Sequence, residues 1–283
     1  MPTLTELILY PVKSCAGISL NQATLTNAGL MSEHIYDREW MVVDAQGRFL
    51  SQRDHPRLAL VTPRIKADTL ELRAPGMLRL EIPLGLPDPA DAPTLDVSVW
   101  NDTVKAYDCD PTTAAWFSNF LGVPARLARF HPDARRIADR RWTGDIEAAA
   151  LFADGFPLLV ISEASLRDLN EKLVAQGRAA LPMNCFRPNI VVDGAEAFDE
   201  DYAESLKVGQ AVVVPVKPCS RCSIPSVDQA TGLAGLDPLD ILRTYRANPK
   251  LNDAITFGMN AVVREGEGEL LRIGQEIELT LAF

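Results

Sequence analysis

The chain is most informative at Ala211-Val212-Val213-Val214-Pro215-Val216-Lys217-Pro218-Cys219-Ser220-Arg221-Cys222, where an apolar run leads into two cysteines. The run from 211 to 216 is typical of a buried β-strand. Pro218 and, beyond the cysteines, Pro225 exclude a helix and a regular strand ladder between them. We therefore expect a strand that delivers both thiols on a stiffened loop. An arginine beside a cysteine favours the thiolate, and a thiolate suits a redox metal.

The pair Cys219 and Cys222 is by itself compatible with several kinds of site. It fits half of a structural zinc site, a redox dithiol, or two packing residues. Zinc needs further ligands, but the other cysteines are isolated and the histidines lack ligand spacing. A thioredoxin-like dithiol is expected near the start of a βαβ unit, whereas this pair precedes a proline-containing loop late in the chain. The other cysteines are Cys15, Cys109 and Cys185, and the histidines are His34, His55 and His131.

The composition indicates a globular, acidic protein that can bind an anion only where a few cations are clustered. The 283 residues suit two domains or one large domain, and 47% of them are apolar. The net charge is −10, which argues against nucleic acid or an anionic membrane surface as the partner. Five cysteines at irregular spacing do not form a disulfide framework. Because the N-terminus also lacks the pattern of a secretory signal, we expect a cytoplasmic location.

Short β patterns outnumber helical patterns along the whole chain. Strands are predicted at 4–10, 23–26, 40–43, 48–51, 69–72, 78–82, 94–99, 104–107, 125–129, 157–161, 189–192, 211–216, 261–264 and 276–282. Helices are predicted to begin after Asp110, Ser162 and Asp237, and the proline-rich stretch 84–93 is expected to be an exposed loop. The fold class is therefore α+β, mainly β, with two β-barrel-like units and peripheral helices. We place the domain boundary near residue 125, giving domains 1–125 and 126–283.

Three cations follow or precede predicted strands, where each has a functional and a structural interpretation. Lys13 and Ser14 could together hold a phosphate, although a lysine after a strand is usually solvated. Arg38 has acidic neighbours on both sides and could simply pair with one of them. Arg187 precedes a buried strand and could meet an oxyanion or brace a loop. A further group is predicted to form a solvated basic face, namely Arg136, Arg140 and Arg141.

Four motifs in this order resemble the MOSC family, and within it the amidoxime-reducing branch. They are Tyr10-Pro11-Val12-Lys13-Ser14-Cys15, Asp37-Arg38, Phe186-Arg187-Pro188-Asn189 and Cys219-Ser220-Arg221-Cys222. The resemblance implies an N-terminal MOSC-type β-barrel domain, a C-terminal MOSC domain and a bound molybdenum cofactor. It implies that Cys222 is the metal ligand and that Cys219 is not. The implied cofactor-binding residues are Lys13, Ser14, Arg38, Arg187, Asn189, Ser220, Arg221 and Asn260.

The resemblance also implies a reaction, a proton-transfer group and a partner. The expected function is molybdenum-dependent reduction of N-hydroxylated compounds such as amidoximes, hydroxylamines and N-hydroxylated bases. Asp154 is the implied catalytic group for proton traffic, and Gly155 and Phe156 stand where the family has small hydroxyl residues. Electrons are expected from a separate flavin or iron-sulfur protein, and neither nucleic acid nor a membrane is expected as a partner. The alternative function is a non-catalytic carrier of molybdopterin or sulfur.

Overall fold

The computed structural model describes residues 1–87 and 92–282, and strands dominate it. The predicted loop at 84–93 lies partly outside these ranges. The strands that precede the first helix are β1 (Thr3–Leu9), β2 (Val12–Lys13), β3 (Ile18–Leu20), β4 (Gln22–Thr26), β5 (Gly29–Ser32), β6 (Ile35–Tyr36), β7 (Trp40–Val43), β8 (Thr62–Ile65), β9 (Thr69–Arg73), β10 (Leu80–Pro83), β11 (Thr94–Val99) and β12 (Asp102–Asp108).

The rest of the chain alternates short helices with longer strands. The helices are α1 (Pro111–Leu121), α2 (Arg140–Thr143), α3 (Glu163–Ala175) and α4 (Leu239–Arg243). The strands are β13 (Arg126–Phe130), β14 (Leu158–Ser162), β15 (Ile190–Asp193), β16 (Ala203–Val208), β17 (Ala211–Ser220), β18 (Ala247–Asn248), β19 (Ala254–Glu265), β20 (Leu270–Arg272) and β21 (Glu278–Leu281). Short 3-10 helices lie at Pro56–Leu60, Met183–Cys185, Asp199–Tyr202, Ile224–Ser226 and Pro249–Leu251.

The two longer helices begin where capping residues predict that they should. The Asp110 side chain accepts a hydrogen bond from the backbone of Thr113, and α1 ends at Gly122 with a φ of 74°. Ser162 caps α3 in the same way. A side chain that accepts an otherwise unpaired N–H at a helix start stabilises the helix by about 1 kcal/mol. Both predicted helix starts are therefore confirmed.

Four sheets form, and two of them combine strands from opposite ends of the chain. The largest has the order β21-β16-β17-β19-β14-β15-β1-β3, with β18 added to β19. The others are β11-β12-β13-β7-β2, β20-β4-β5-β6 and β10-β9-β8. The mainly β class is confirmed. Within the described ranges each sheet has two ends, however, so the sheets are not closed barrels, and the boundary at residue 125 stays a prediction.

The main apolar core lies between these sheets and contains residues from both ends of the chain. Leu4, Trp40, Phe117 and Val213 all belong to it and are fully or almost fully buried. A second cluster packs beneath α3 and α4 and includes the ring of Phe186, which is fully buried. Strands from distant parts of the sequence are thus fixed against one another by apolar burial. None of the helices in the described part of the chain is long and apolar enough to span a bilayer.

Candidate functional site

A cavity of about 420 Å³ lies where the ends of β2 and β17 and the middle of β19 meet three loops. One loop follows β6, and the other two precede β14 and β15. All the site residues predicted from the sequence line this cavity. They are Lys13, Ser14, Arg38, Asp154, Arg187, Asn189, Ser220, Arg221, Cys222 and Asn260. Residues more than 200 positions apart in the chain are therefore brought together around one space.

Cys219 lies within β17, which pairs with β19 in an interrupted register, and Cys222 lies on the loop that follows. The prediction that Pro218 excludes a strand ladder before both cysteines is therefore wrong. The pairing shifts between Pro215 and Lys217 and again between Pro218 and Ser220, as expected for bulges that bend a strand. The thiols of Cys219 and Cys222 are free and half-buried. The end of β17 and the loop after it therefore bring both cysteines to the cavity, and beyond Ser220 the backbone of Arg221 still donates to the carbonyl of Ile255 at 2.8 Å.

Arg221 connects this loop to the segment that precedes β15. Its Nη1 donates to Cys219 Sγ at 3.3 Å, and its Nη2 donates to the carbonyl of Phe186 at 2.9 Å. Its Nε is buried and has no hydrogen-bond partner among the described residues. The cation therefore contacts Cys219 rather than Cys222, and it keeps one donor for a ligand.

Arg38 and Arg187 both pack against the ring of Tyr10. The guanidinium carbons lie 4.4 Å and 4.3 Å from the ring centroid. Tyr10 is fully buried, and burial raises the pKa of its hydroxyl to about 12 although both cations oppose this. The ring therefore stays neutral and supports the two cations by cation-π contact. This role of Tyr10 is not predictable from the sequence, although the residue belongs to the motif Tyr10-Pro11-Val12-Lys13-Ser14-Cys15.

The charge of Arg38 is balanced, whereas that of Arg187 is not. Arg38 pairs with the buried carboxylate of Asp37 and also donates to Asn189 Oδ1 at 3.1 Å. Arg187 is 8% exposed, and its Nη2 is buried without a partner in the described part of the chain. Burial lowers the pKa of Arg187, and nearby Arg38 adds to this. A buried donor left unpaired costs about 1–3 kcal/mol, which a bound anion at this position would recover.

Lys13 and Asp154 form an ion pair within the cavity. Lys13 Nζ donates to Asp154 Oδ1 and to the carbonyl of Phe152, both at 2.7 Å. The indole of Trp100 donates to the same carboxylate oxygen at 3.0 Å. Desolvation acts to raise the pKa of Asp154, but Lys13 and Trp100 together hold it well below its usual range. The side chain of Asp154 is 74% exposed, so it is an ionised carboxylate that solvent and ligands can reach.

Arg136 lies beneath this ion pair, and the prediction that it is solvated is wrong. It is 8% exposed and donates to the carbonyls of Leu151, Ala153 and Asp154. Its Nε also donates to Asp102 at 2.7 Å. The reason is that the turn at 151–154 leaves carbonyls without partners inside a strand or helix, and the guanidinium of Arg136 supplies their donors. Of the three predicted surface arginines, Arg140 and Arg141 are exposed.

Three of the predicted site residues have left-handed backbone conformations. The φ angles are 67° at Ser14, 52° at Arg38 and 59° at Arg187. Residues with a Cβ rarely adopt positive φ, and such positions cluster where surrounding structure holds a strained segment for binding. These backbone conformations occur on three separate loops, and all three residues line the same cavity.

The two predicted asparagines differ in how far they are engaged. Asn189 is 1% exposed, accepts from the backbone of Leu159 at 3.1 Å and donates to the carbonyl of Ile8 at 3.1 Å. Together with its bond to Arg38, this makes Asn189 a brace between β1, β14 and β15. Asn260 is half-buried and donates to the carbonyl of Lys217 at 3.3 Å. Its position at the cavity wall leaves it accessible to a ligand.

No group of three or more His, Cys, Asp or Glu side chains within residues 1–87 and 92–282 is arranged to hold a metal ion. A zinc site of four protein ligands, one interpretation of Cys219 and Cys222, is therefore not formed in that part of the chain. The two cysteines instead face a space lined by arginine, lysine and aromatic side chains.

Comparison with known proteins assigns both halves of the chain. Residues 1–124 match the family model described as the MOSC N-terminal beta barrel domain, and residues 147–278 match the MOSC domain. The chain is 36% identical over 248 residues to mitochondrial amidoxime reducing component 2 of Bos taurus, covering 86% of this chain and 72% of that protein. It is 36% identical over 251 residues to mitochondrial amidoxime-reducing component 1 of Homo sapiens, with the same coverage.

A third relative, mitochondrial amidoxime-reducing component 1 of Mus musculus, is 35% identical over 248 residues and is covered over 71% of its length. The names of these relatives place them in mitochondria. The cytoplasmic location predicted from the composition and the N-terminus is therefore contradicted. That prediction rested on cysteine usage and on the lack of a secretory signal, neither of which separates the cytosol from other reducing compartments.

Proposed function

Because the chain belongs to the MOSC-domain family of amidoxime-reducing components, we propose that it is a molybdenum-cofactor-dependent reductase of N-hydroxylated compounds. Amidoximes, hydroxylamines and N-hydroxylated bases are the substrate class, and a separate redox protein supplies the electrons. The names of the relatives describe a reducing activity, so the alternative of a non-catalytic carrier is not favoured.

The residues of the cavity fit an anionic cofactor with a soft metal. The single observation that carries the proposal is the pair of buried, unpartnered donors on Arg187 and Arg221, counted within the described residues, beside the thiol of Cys222. The volume of about 420 Å³ lies within the range of roughly 300–1,000 Å³ typical of small-molecule sites. Buried cations without partners do not stabilise the fold of a protein whose net charge is −10. We therefore infer that they bind an anionic ligand.

Cationic residues and the thiolate would hold different parts of the cofactor. Lys13, Arg187 and Arg221 would pair with its anionic groups through charge-assisted hydrogen bonds. Arg38, already paired with Asp37, would contribute mainly as a donor. Cys222 would be the thiolate ligand, since thiolate suits a redox metal better than oxygen does.

The remaining polar groups would complete the site. Ser14 and Ser220 would add hydroxyl donors, Asn189 would fix the cation Arg38, and Asn260 would present its amide to the cofactor edge. When bound, the cofactor would supply two-electron oxygen-transfer chemistry that no side chain provides. Asp154 is ionised and reachable by solvent, so its exposed carboxylate oxygen would accept hydrogen bonds from the water molecules that bring protons to the substrate.

The proposed net reaction cleaves an N–O bond and releases water. An amidoxime, two electrons and two protons give an amidine and one molecule of water. The electrons come from a separate flavin or iron-sulfur protein, and the chain has no Gly-x-Gly-x-x-Gly loop for a dinucleotide. The protons enter from solvent through the side of the cavity that carries Asp154.

The test compares Cys222→Ser with Cys219→Ser in protein produced by a host that makes molybdopterin. Molybdenum per folded molecule is measured by elemental analysis, and benzamidoxime reduction is measured with reduced methyl viologen. We expect the wild type to hold molybdenum and to reduce benzamidoxime, Cys222→Ser to lose the activity, and Cys219→Ser to retain much of it. Zinc in the wild type, with equal loss in both variants, would contradict the proposal. Bound molybdenum without any turnover would indicate the carrier instead.

A further inference from the structure

Two cations at the rim of the cavity are not among the residues proposed to bind the cofactor. Arg53 and Lys217 both line the cavity and both are half-exposed. In contrast, Lys13 and Arg187 are 6% and 8% exposed. The cavity therefore has a buried cationic floor and a separate, solvent-facing cationic rim.

Each rim cation is held by aromatic rings rather than by a carboxylate. The guanidinium carbon of Arg53 lies 4.5 Å from the ring centroid of Trp100 and 5.7 Å from that of Phe49. Lys217 Nζ lies 5.1 Å from the centroid of Trp142 and 5.9 Å from that of Phe156. Cation-π contact fixes the position of a cation without neutralising its charge.

Neither rim cation has an ion-pair partner in the part of the chain that the structure describes. Every salt bridge found there joins other residues, and the side-chain nitrogens of Arg53 and Lys217 donate no hydrogen bond to another residue. Asp139 lies within the electrostatic influence of Lys217, but its carboxylate bonds to Arg141. Two fixed, unneutralised cations beside a reaction cavity are thus available to a ligand, on a protein that is acidic as a whole.

We propose that Arg53 and Lys217 form a subsite for an oxyanion, either a carboxylate or a phosphate, carried by the N-hydroxylated substrate. The inference rests on the proposed function and names the substrate class more closely, as N-hydroxylated compounds with an anionic group remote from the N–O bond. The cofactor takes the buried cations, and the rim takes the anionic end of the substrate. Trp100 keeps Arg53 in place at the rim, and Phe156 does the same for Lys217.

The experiment measures the ratio of kcat/KM for anionic and neutral substrates of the same kind. The carboxylate pair is 4-carboxybenzamidoxime against benzamidoxime, and the phosphate pair is N4-hydroxycytidine 5′-monophosphate against N4-hydroxycytidine. Reduced methyl viologen is the donor throughout, so effects on the donor cancel in each ratio. The variants are Arg53→Gln, Lys217→Gln and the double variant, with the exposed Lys250→Gln as the matched control, and molybdenum content is measured for each.

We expect the ratio to fall about tenfold in the double variant, which corresponds to ~1.4 kcal/mol of lost interaction, and to stay unchanged in Lys250→Gln. A fall for only the carboxylate pair or only the phosphate pair would support the subsite and identify its anion. An unchanged ratio in the double variant would overturn the inference while leaving the reductase function intact. Loss of molybdenum from Arg53→Gln would also overturn it, because Arg53 would then belong to the cofactor site.

A binding measurement keeps failure of the subsite distinct from failure of the proposed function. If the wild type reduces none of the four substrates, the proposed function fails, and calorimetry with 4-carbamoylbenzoate against benzamide still tests the rim. Tighter binding of the anionic amide, lost in the double variant, would support the subsite. Equal affinity for the two amides would overturn it.

Discussion

Replacing Arg136 by glutamine is expected to destabilise the protein and to disturb the cavity at the same time. The guanidinium donates to three carbonyls of the turn at 151–154 and to the carboxylate of Asp102. The contact with Ala153 is buried, and the others are partly buried. One buried acceptor without a partner costs about 1–3 kcal/mol, and the partly buried acceptors add less because water replaces the donor. We therefore expect a loss of about 2–4 kcal/mol in the free energy of unfolding.

The assay is urea unfolding of cofactor-free protein, with Arg140→Gln as the matched control. Arg140 lies in the same stretch of sequence, but its side chain is 69% exposed. Surface substitutions of this kind change the free energy of unfolding by about 0.5 kcal/mol or less. In thermal unfolding the Arg136 variant should melt roughly 3–7 °C below the wild type. Equal stability of the two variants would refute the role of Arg136 as the support of the turn.

The same variant has a consequence for the cofactor. The turn at 151–154 supplies Lys13 with the carbonyl of Phe152 and with the carboxylate of Asp154. Loosening the turn should therefore lower molybdenum occupancy per folded molecule in Arg136→Gln and not in Arg140→Gln. A destabilised variant with full occupancy would show that the turn supports folding only.

Three further predictions concern charge and electron supply. Arg187→Gln should lower cofactor occupancy at least tenfold, since a charge-assisted contact contributes roughly 1.5–3 kcal/mol. The melting temperature of the cofactor-free protein should stay equal or rise. A fall in that temperature with unchanged occupancy would contradict this prediction. Burial lowers the pKa of Lys13, and Asp154 opposes this, so the pKa of Lys13 should fall further in Asp154→Asn. Cofactor occupancy, measured by equilibrium dialysis, should then decline at a lower alkaline pH than in the wild type. The exposed control Asp145→Asn should follow the wild type. Purified protein should not oxidise NADH until a flavin or iron-sulfur partner is added, and partner-free oxidation coupled to amidoxime reduction would oppose the assignment of a single redox centre.

The local elements were predictable because their signals are local. The helix after Asp110 has its cap, its proline and its glycine within 13 residues, and the predicted strand at 94–99 coincides with β11. The predicted strand at 211–216 is the first part of β17, which continues to Ser220 despite Pro215 and Pro218. The bulges of β17 place the prolines where the ladder needs no N–H donor. The positions of these bulges depend on the register with β19.

The site residues were predictable as motifs, but their contacts were not. Nothing in the sequence separates Arg136 from Arg140, since burial depends on a turn 15 residues later. The position of Trp100 over Asp154 depends on two distant segments meeting, and Arg53 carries no motif at all. The closed barrels expected from the strand count also fail because pairing between the two ends of the chain, rather than closure of each half, satisfies the sheet edges.

That pairing determines when the protein can finish folding during synthesis. Strand β1 leaves the ribosome before the other described strands, yet its Thr3 pairs with Asp193. In the same way β4 must wait for β20 at residues 270–272. Contacts this distant in sequence form slowly, and until they form the early strands have unpaired edges that invite aggregation. A chaperone that shields β1 and β4 would therefore be most valuable before residue 270 has emerged. Separate expression of residues 1–125 should yield insoluble chains, because three of the four sheets then lack a strand, namely β13, β15 or β20.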